Sequence, residues 1–129
     1  MKFGYTIIYV ADVPASLQFF EQAFGLKTRF LHESGYGELD TGETTLAFAS
    51  HELGASNLLE GYVASDSSPK PLGIEIALVT EYVIDAHERA LAAGAISLGD
   101  PKVKPWGQTV SYVRCPDGTL VELCSPMNA

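Results

Sequence analysis

The sequence predicts an α+β domain built from two tandem βαβββ modules sharing one core. Three observations carry this. Strand-like and helix-like runs recur in the same order in the two halves of the chain. Side chains in the strand-like runs divide between two faces with a period of two, while the helical runs repeat apolar residues every three or four. Finally, "CPDGT", residues 115–119, has the composition of a tight hairpin loop late in the chain.

Each element has its own signal. "YTIIYV", residues 5–10, is apolar and β-rich. In "DVPASLQFFEQAFG" a proline stands near the start, Leu17, Phe20 and Phe24 fall at helical spacing, and Gly25 is the stop. "KTRFLHE", "YGELDTG" and "ETTLAFAS" read as three strands, with "DTGE" supplying a turn. The second half repeats the order. "GIEIALVT" is a strand, and "VIDAHERALAAG" is a helix with Val83, Ala86, Ala90 and Ala93 on one face and Gly94 at its end. "AISLGDPKVKPWG", "QTVSYVR" and "TLVELCS" follow as strands. Tyr5 to Gly25 overlays Glu75 to Gly94 with a one-residue adjustment, and "TLAFAS" overlays "LVELCS". Residues 1–129 thus form one domain, with module one at 1–51 and module two at 73–129. The connection 52–72 is rich in Ser, Gly and Pro, shows no sustained periodicity and reads as a linker.

Composition narrows the function classes. A chain of 129 residues, 47 % hydrophobic and 19 % charged, is an ordinary globular domain. No apolar run approaches the roughly 20 residues of a membrane span. Asp12 interrupts the N-terminal apolar stretch, so no signal peptide is expected and a cytoplasmic location is. A net charge of −8 argues against nucleic acid as a partner, because that binding rests on Lys and Arg neutralising phosphates. It favours a cationic ligand, and equally serves solubility. Cys115 and Cys124 lie on one hairpin about 17 Å apart, beyond disulfide reach, and are expected as free thiols in a reducing compartment.

Strand parity gathers the chemistry. With Pro-Asp-Gly as a three-residue loop, Cys115 pairs with Thr119, Tyr112 stands opposite Glu122, and Arg114 opposite Leu120. Glu75, Ala77 and Val79 share a face, as do Leu120, Glu122 and Cys124. One face of the strands is apolar and packs on the helices. The other carries Tyr5, Tyr9, Glu75, Tyr112 and Glu122 among the small Ala47, Ala49 and Ala77. Polar tips over small residues suggest a concave ligand pocket.

At these residues the chain resembles a known family. "YTIIYVADVPASLQFFEQAFGL" and "KPWGQTVSYVRCPDGTLVELCSP" are similar to the vicinal oxygen chelate superfamily of glyoxalase I, bleomycin-resistance proteins, fosfomycin-resistance thiol transferases and extradiol dioxygenases. The resemblance covers nearly the whole chain, is weakest at 52–72, and is closest in character to the bleomycin-resistance-like members. It implies a curved eight-stranded mixed sheet around a ligand cavity, and a homodimer. It also implies four metal-ligand positions, which here carry Tyr5, Ala47, Glu75 and Glu122. Only Glu122 matches that pattern directly. Alanine offers no donor and no imidazole stands on this face, whereas a catalytic divalent site uses about three protein ligands. The expectation is therefore no metal and no cofactor. His32, His51 and His87 lie off the ligand positions and read as structural or solvent-facing, with His32 the one able to line the pocket. Trp106 either covers the end of the core or, as the bleomycin-resistance-like members' Pro-Trp-Gly suggests, stacks on a planar ligand near Tyr112.

Two functional classes stay open. In the first, Tyr5, Tyr9, Ala47, Glu75, Trp106, Tyr112 and Glu122 bind a small planar or cationic molecule without catalysis, as in antibiotic sequestration and resistance. In the second, the chain is a lyase, isomerase or dioxygenase-type enzyme, with a degenerate metal site or with Glu75 and Glu122 as an acid–base pair facing each other across the cavity.

Overall fold

The computed structural model describes residues 1–127. Of module two, expected at 73–129, positions 128 and 129 lie outside the described residues. Module one runs β1 (Tyr5–Val10), α1 (Val13–Phe24), β2 (Thr28–His32), β3 (Tyr36–Leu39) and β4 (Thr45–Ser50). A short α2 (His51–Asn57) follows. Module two runs β5 (Glu75–Val79), α3 (Val83–Ala93), β6 (Ile96–Val103), β7 (Thr109–Arg114) and β8 (Leu120–Cys124). None of the described helices is long and apolar enough to cross a membrane.

Local chemistry explains the helix ends. The Asp12 carboxylate accepts from the Ala15 amide at 3.0 Å, which caps α1. Pro14 sits in the first turn, where its missing N–H costs nothing. Gly25 ends the helix in the left-handed conformation, φ 72°, and its amide bonds back to the Glu21 carbonyl. Val13, Leu17 and Phe20 form the buried face, and Phe20 meets Phe48 of β4 at a ring separation of 5.0 Å.

The strands form two four-stranded sheets in the orders β1-β4-β3-β2 and β5-β8-β7-β6. In each, the first strand runs parallel to the last, and the others pair antiparallel. The internal repeat is thus a repeat of topology. Helices α1 and α3 pack together and cover one face of the sheets. There Val10, Leu39, Phe48, Val113, Val121 and Leu123 are buried with the helical apolar residues in a single core. Both cysteines are buried and free.

The α+β fold, its two βαβββ modules and its eight strands are as expected; among the described residues the strands hydrogen-bond as two four-stranded mixed sheets, and side chains from β1, β5 and β8 line a cavity at their junction. The connection is more than a linker. Its first turns are α2, capped by the Ser50 hydroxyl accepting from the Leu53 amide at 3.1 Å. The strap that follows is docked on the β7–β8 hairpin. The Arg114 guanidinium donates to the carbonyls of Ser65 at 2.8 Å and Ser68 at 2.9 Å. Gly118, φ 92°, lets the hairpin approach so closely that a Cβ there would collide with the Ser65 backbone.

Candidate functional site

The sheet faces turned away from the helices carry the polar side chains, as parity predicts. In module two the observed register is Tyr112 opposite Glu122, Arg114 opposite Leu120 and Ala77 beside Glu122. The Tyr112 hydroxyl donates to Glu122 Oε1 at 2.9 Å. That bond, burial and the nearby Glu122 charge push the Tyr112 phenol up to about 12. Glu75 lies diagonally across the parallel β5–β8 ladder from Glu122, on the same face. Burial raises its carboxyl, and the Glu122 charge and a hydrogen bond with Glu122 raise it further. The two carboxylates are therefore side by side on neighbouring strands, not across a cavity, because β5 and β8 are adjacent in one sheet. Cys124, on the same face, has its thiol pushed up by burial and by Glu122 and Glu75.

Module one solves its charge problem differently. Ala47 is the counterpart of Glu122, each pairing with the central residues of its parallel first strand. It is 0 % exposed and presents no surface to a ligand. The carboxylate of this face comes from Glu38, which pairs with Ala47 across the β3–β4 ladder. Glu38 accepts from the Tyr36 hydroxyl at 2.8 Å and from Arg29 Nη2 at 3.0 Å, and Arg29 also donates to Thr45 Oγ1 at 2.6 Å. The Tyr36 bond foremost, with Arg29, holds Glu38 below the usual carboxylate range. Tyr36 is pushed up to about 12 by burial and by Glu38. Sequence reasoning missed this cluster. Period-two parity places Tyr36 and Glu38 together in "YGEL", and pairing β3 with β4 would have added them. The reach of Arg29 past the β-bulge at Thr28/Phe30 has no such signal.

The other expected site residues are dispersed. Tyr5 lies on the module-one face, 57 % exposed and close enough to Tyr36 to influence its ionisation. Tyr9 stacks on Tyr62 of the strap at 4.9 Å. Trp106 is 61 % exposed in the β6–β7 turn, its indole N–H donating to Gln108 Oε1 at 2.9 Å. His32 stacks on Phe30 at 6.5 Å, while His87 is buried and bonded to Ser97 at 3.0 Å. His51, the first residue of α2, has its Nδ1 2.7 Å from the Tyr62 hydroxyl. Among the described residues no hydrogen bond or ion pair joins the Glu38 cluster to the Glu75–Glu122 cluster.

The donor set does not fit a catalytic divalent metal. Ala47 is empty of donors and Tyr5 offers a phenol. Glu122 is already engaged by Tyr112 and Glu75. Among the described residues no three His, Cys, Asp or Glu side chains gather as a metal set would.

Two βαβββ modules with parallel outer pairs, and a polar face opposite the helices, define an architecture shared with glyoxalases and dioxygenases. The chain belongs to the Glyoxalase/Bleomycin resistance protein/Dioxygenase superfamily, which it matches over residues 2–123. Solved structures share the fold. A glyoxalase-related enzyme from Fulvimarina pelagi superposes with a TM-score of 0.82 at 22 % identity, over 98 % of this chain and 88 % of that one. A glyoxalase/bleomycin resistance protein/dioxygenase family enzyme from Burkholderia phytofirmans PsJN gives 0.81 at 21 % identity, over 95 % and 96 %. A hypothetical protein, SA1046 from S. aureus, gives 0.79 at 19 %, over 98 % and 94 %. No curated protein matches the sequence.

Proposed function

We propose that this protein binds a small cationic molecule with a planar apolar body, on the module-two sheet face and without a catalytic metal. One observation carries the reading. Among the described residues no Lys, Arg or His pairs with Glu75 or Glu122, whereas Glu38 in the matching module has Arg29 as its partner. Two adjacent carboxylates repel one another, which raises the Glu75 carboxyl, and an ammonium or amidinium can relieve that repulsion. Tyr112 fixes the Glu122 carboxylate for it. Sequestration of a drug-like cation, and hence antibiotic resistance, is the biological form this would take. Two copies associate as a homodimer, each covering the other's exposed sheet face.

The test is calorimetric titration with a panel of aromatic ammonium and amidinium compounds. A 1:1 complex is expected, weakened about tenfold or more by Glu122→Gln, the scale of a charged hydrogen bond. Equal affinity in the variant would overturn the assignment. The Glu75–Glu122 pair supports a second reading as general acid and base, since burial and the adjacent Glu122 raise the Glu75 carboxyl above its ordinary range. Ligand recovered unchanged after prolonged incubation favours binding; conversion that Glu75→Gln abolishes favours catalysis.

A further inference from the structure

The carboxylate pair has an apolar neighbour. Between the two modules lies a cavity of about 280 Å³, walled by β1, β5, the start of β8 and the strap. Ile7, Tyr9, Tyr62, Leu72, Ile76 and Leu120 are among its lining residues, none of which is charged.

Strand register ties this cavity to the carboxylates. Leu120 is the direct partner of Glu75 in the parallel β5–β8 ladder, as Ala77 is of Glu122. Partners in register point to the same face, so Leu120 stands beside Glu75 and is also cavity wall. Ile7 and Tyr9 share the outward face of β1 with Tyr5. The cavity therefore reaches the polar sheet face where the carboxylate pair begins. Arg114, opposite Leu120, does not neutralise that pair: its guanidinium donates to the Ser65 and Ser68 carbonyls at 2.8 and 2.9 Å.

The cover of the cavity is built in place. Tyr62 stacks on Tyr9 at 4.9 Å, and its hydroxyl lies 2.7 Å from His51 Nδ1. Gly54 leaves the room that hydroxyl needs, since a Cβ there would collide with it. A guest need not order this segment. The two ends have opposite chemistry. A charge entering the cavity would lose its hydration with nothing to replace it, whereas at Glu75 and Glu122 it meets two carboxylates. An apolar ring has the reverse preference, so a ligand carrying both is oriented.

Register also sets the separation. With strands about 5 Å apart and alternate residues about 7 Å apart, Glu75 and Glu122 stand roughly 5–7 Å from Leu120. Three bonds of an extended chain span about 3.5 Å, so a linker of about two or three methylenes fits once contact distances are counted.

We infer that the junction cavity and the Glu75–Glu122 pair are two ends of one site, whose ligand is an arylalkylammonium: ring in the cavity, short linker over Leu120, ammonium at the carboxylates. This rests on the cation-binding reading and adds where the apolar body sits and how far it stands from the charge. The ring system is one ring or two fused rings, since an apolar cavity of about 150 Å³ already accepts benzene.

Calorimetry with benzyl-, 2-phenylethyl-, 3-phenylpropyl- and 4-phenylbutylammonium tests it, with 3-phenylpropanol as the uncharged control. Affinity should peak at the two middle members, and the alcohol should bind about tenfold more weakly than its ammonium counterpart. A steady rise of about fourfold per methylene, as plain transfer from water gives, would overturn the inference. Ile7→Trp and Leu72→Trp fill the cavity from opposite walls. Either should flatten the length dependence and weaken 3-phenylpropylammonium about tenfold or more. Thermal melting shows which variants are folded, and one suffices because each removes the same space. Glu122→Gln should instead weaken all members together and keep the preferred length. Loss in Glu122→Gln but none in a folded filled-cavity protein overturns the inference and leaves the cation reading standing. Loss in the filled-cavity proteins but none in Glu122→Gln overturns that reading, and the inference with it. No binding of any member to the wild-type protein also overturns the inference.

Discussion

Glu75 ionises reluctantly because the sheet face desolvates its carboxyl and Glu122 stands beside it, and this has a measurable sign. In the unfolded chain its carboxyl loses the proton in the ordinary range, while in the folded protein it holds on longer. Stability therefore falls as pH rises from the ordinary carboxylate value to the raised one. Glu75→Gln should remove that decline in a series of melting temperatures against pH, and an unchanged profile would refute the coupling. Glu38 behaves oppositely. Held low by Tyr36 and Arg29, it contributes stability above the ordinary range that is lost as pH falls through its lowered value. Cation binding at Glu75 and Glu122 should likewise tighten with pH and release a proton, visible as a buffer-dependent calorimetric heat. The Tyr112–Glu122 contact was legible in the sequence because a three-residue hairpin loop fixes register by counting. Arg29–Glu38 was not, because a long flexible side chain crossing a bulge obeys no parity.

At the scale of elements, the helices and strands with regular periodicity were legible, and the connection was not. Helix α2 has only seven residues, too few for two turns of apolar pattern to stand out. The strap has no periodicity of its own, and its position is decided by Arg114 and Gly118, which lie 45 or more residues away in sequence. Removing either should therefore release it. Arg114→Ala should expose 58–72 to limited proteolysis at protease levels that leave the wild-type protein whole. Gly118→Ala should cost about 2 kcal/mol or more by chemical denaturation, since it combines a left-handed backbone with a backbone collision. A strap equally protected in Arg114→Ala would show that Tyr62 and its stacking on Tyr9 suffice to hold it.

At the scale of the whole molecule, the two modules share a core on the helix side but leave apolar side chains on the opposite faces. Tyr5, Ile7 and Phe30 are exposed on the first sheet and Val79 on the second, with Ile96 at its far edge. The repeat itself was legible, since two copies of one strand–helix pattern must bury their helices together. How the sheets meet was not, because cavity and ladder leave the same period-two pattern in sequence. A sheet can stand half-solvated, but Tyr5, Ile7 and Phe30 together on the first sheet, with Val79 on the second, form an apolar surface that a second copy could cover. In the proposed dimer it would do so economically, since one two-fold operation shields both sheets of both chains. Sedimentation at micromolar concentration should then give twice the chain mass. Val79→Asp places a charge on that face without touching the core and should shift the equilibrium to monomer with the far-ultraviolet circular dichroism unchanged. A wild-type monomer across that range would remove the dimer from the proposal and leave each ligand site to be completed within one chain.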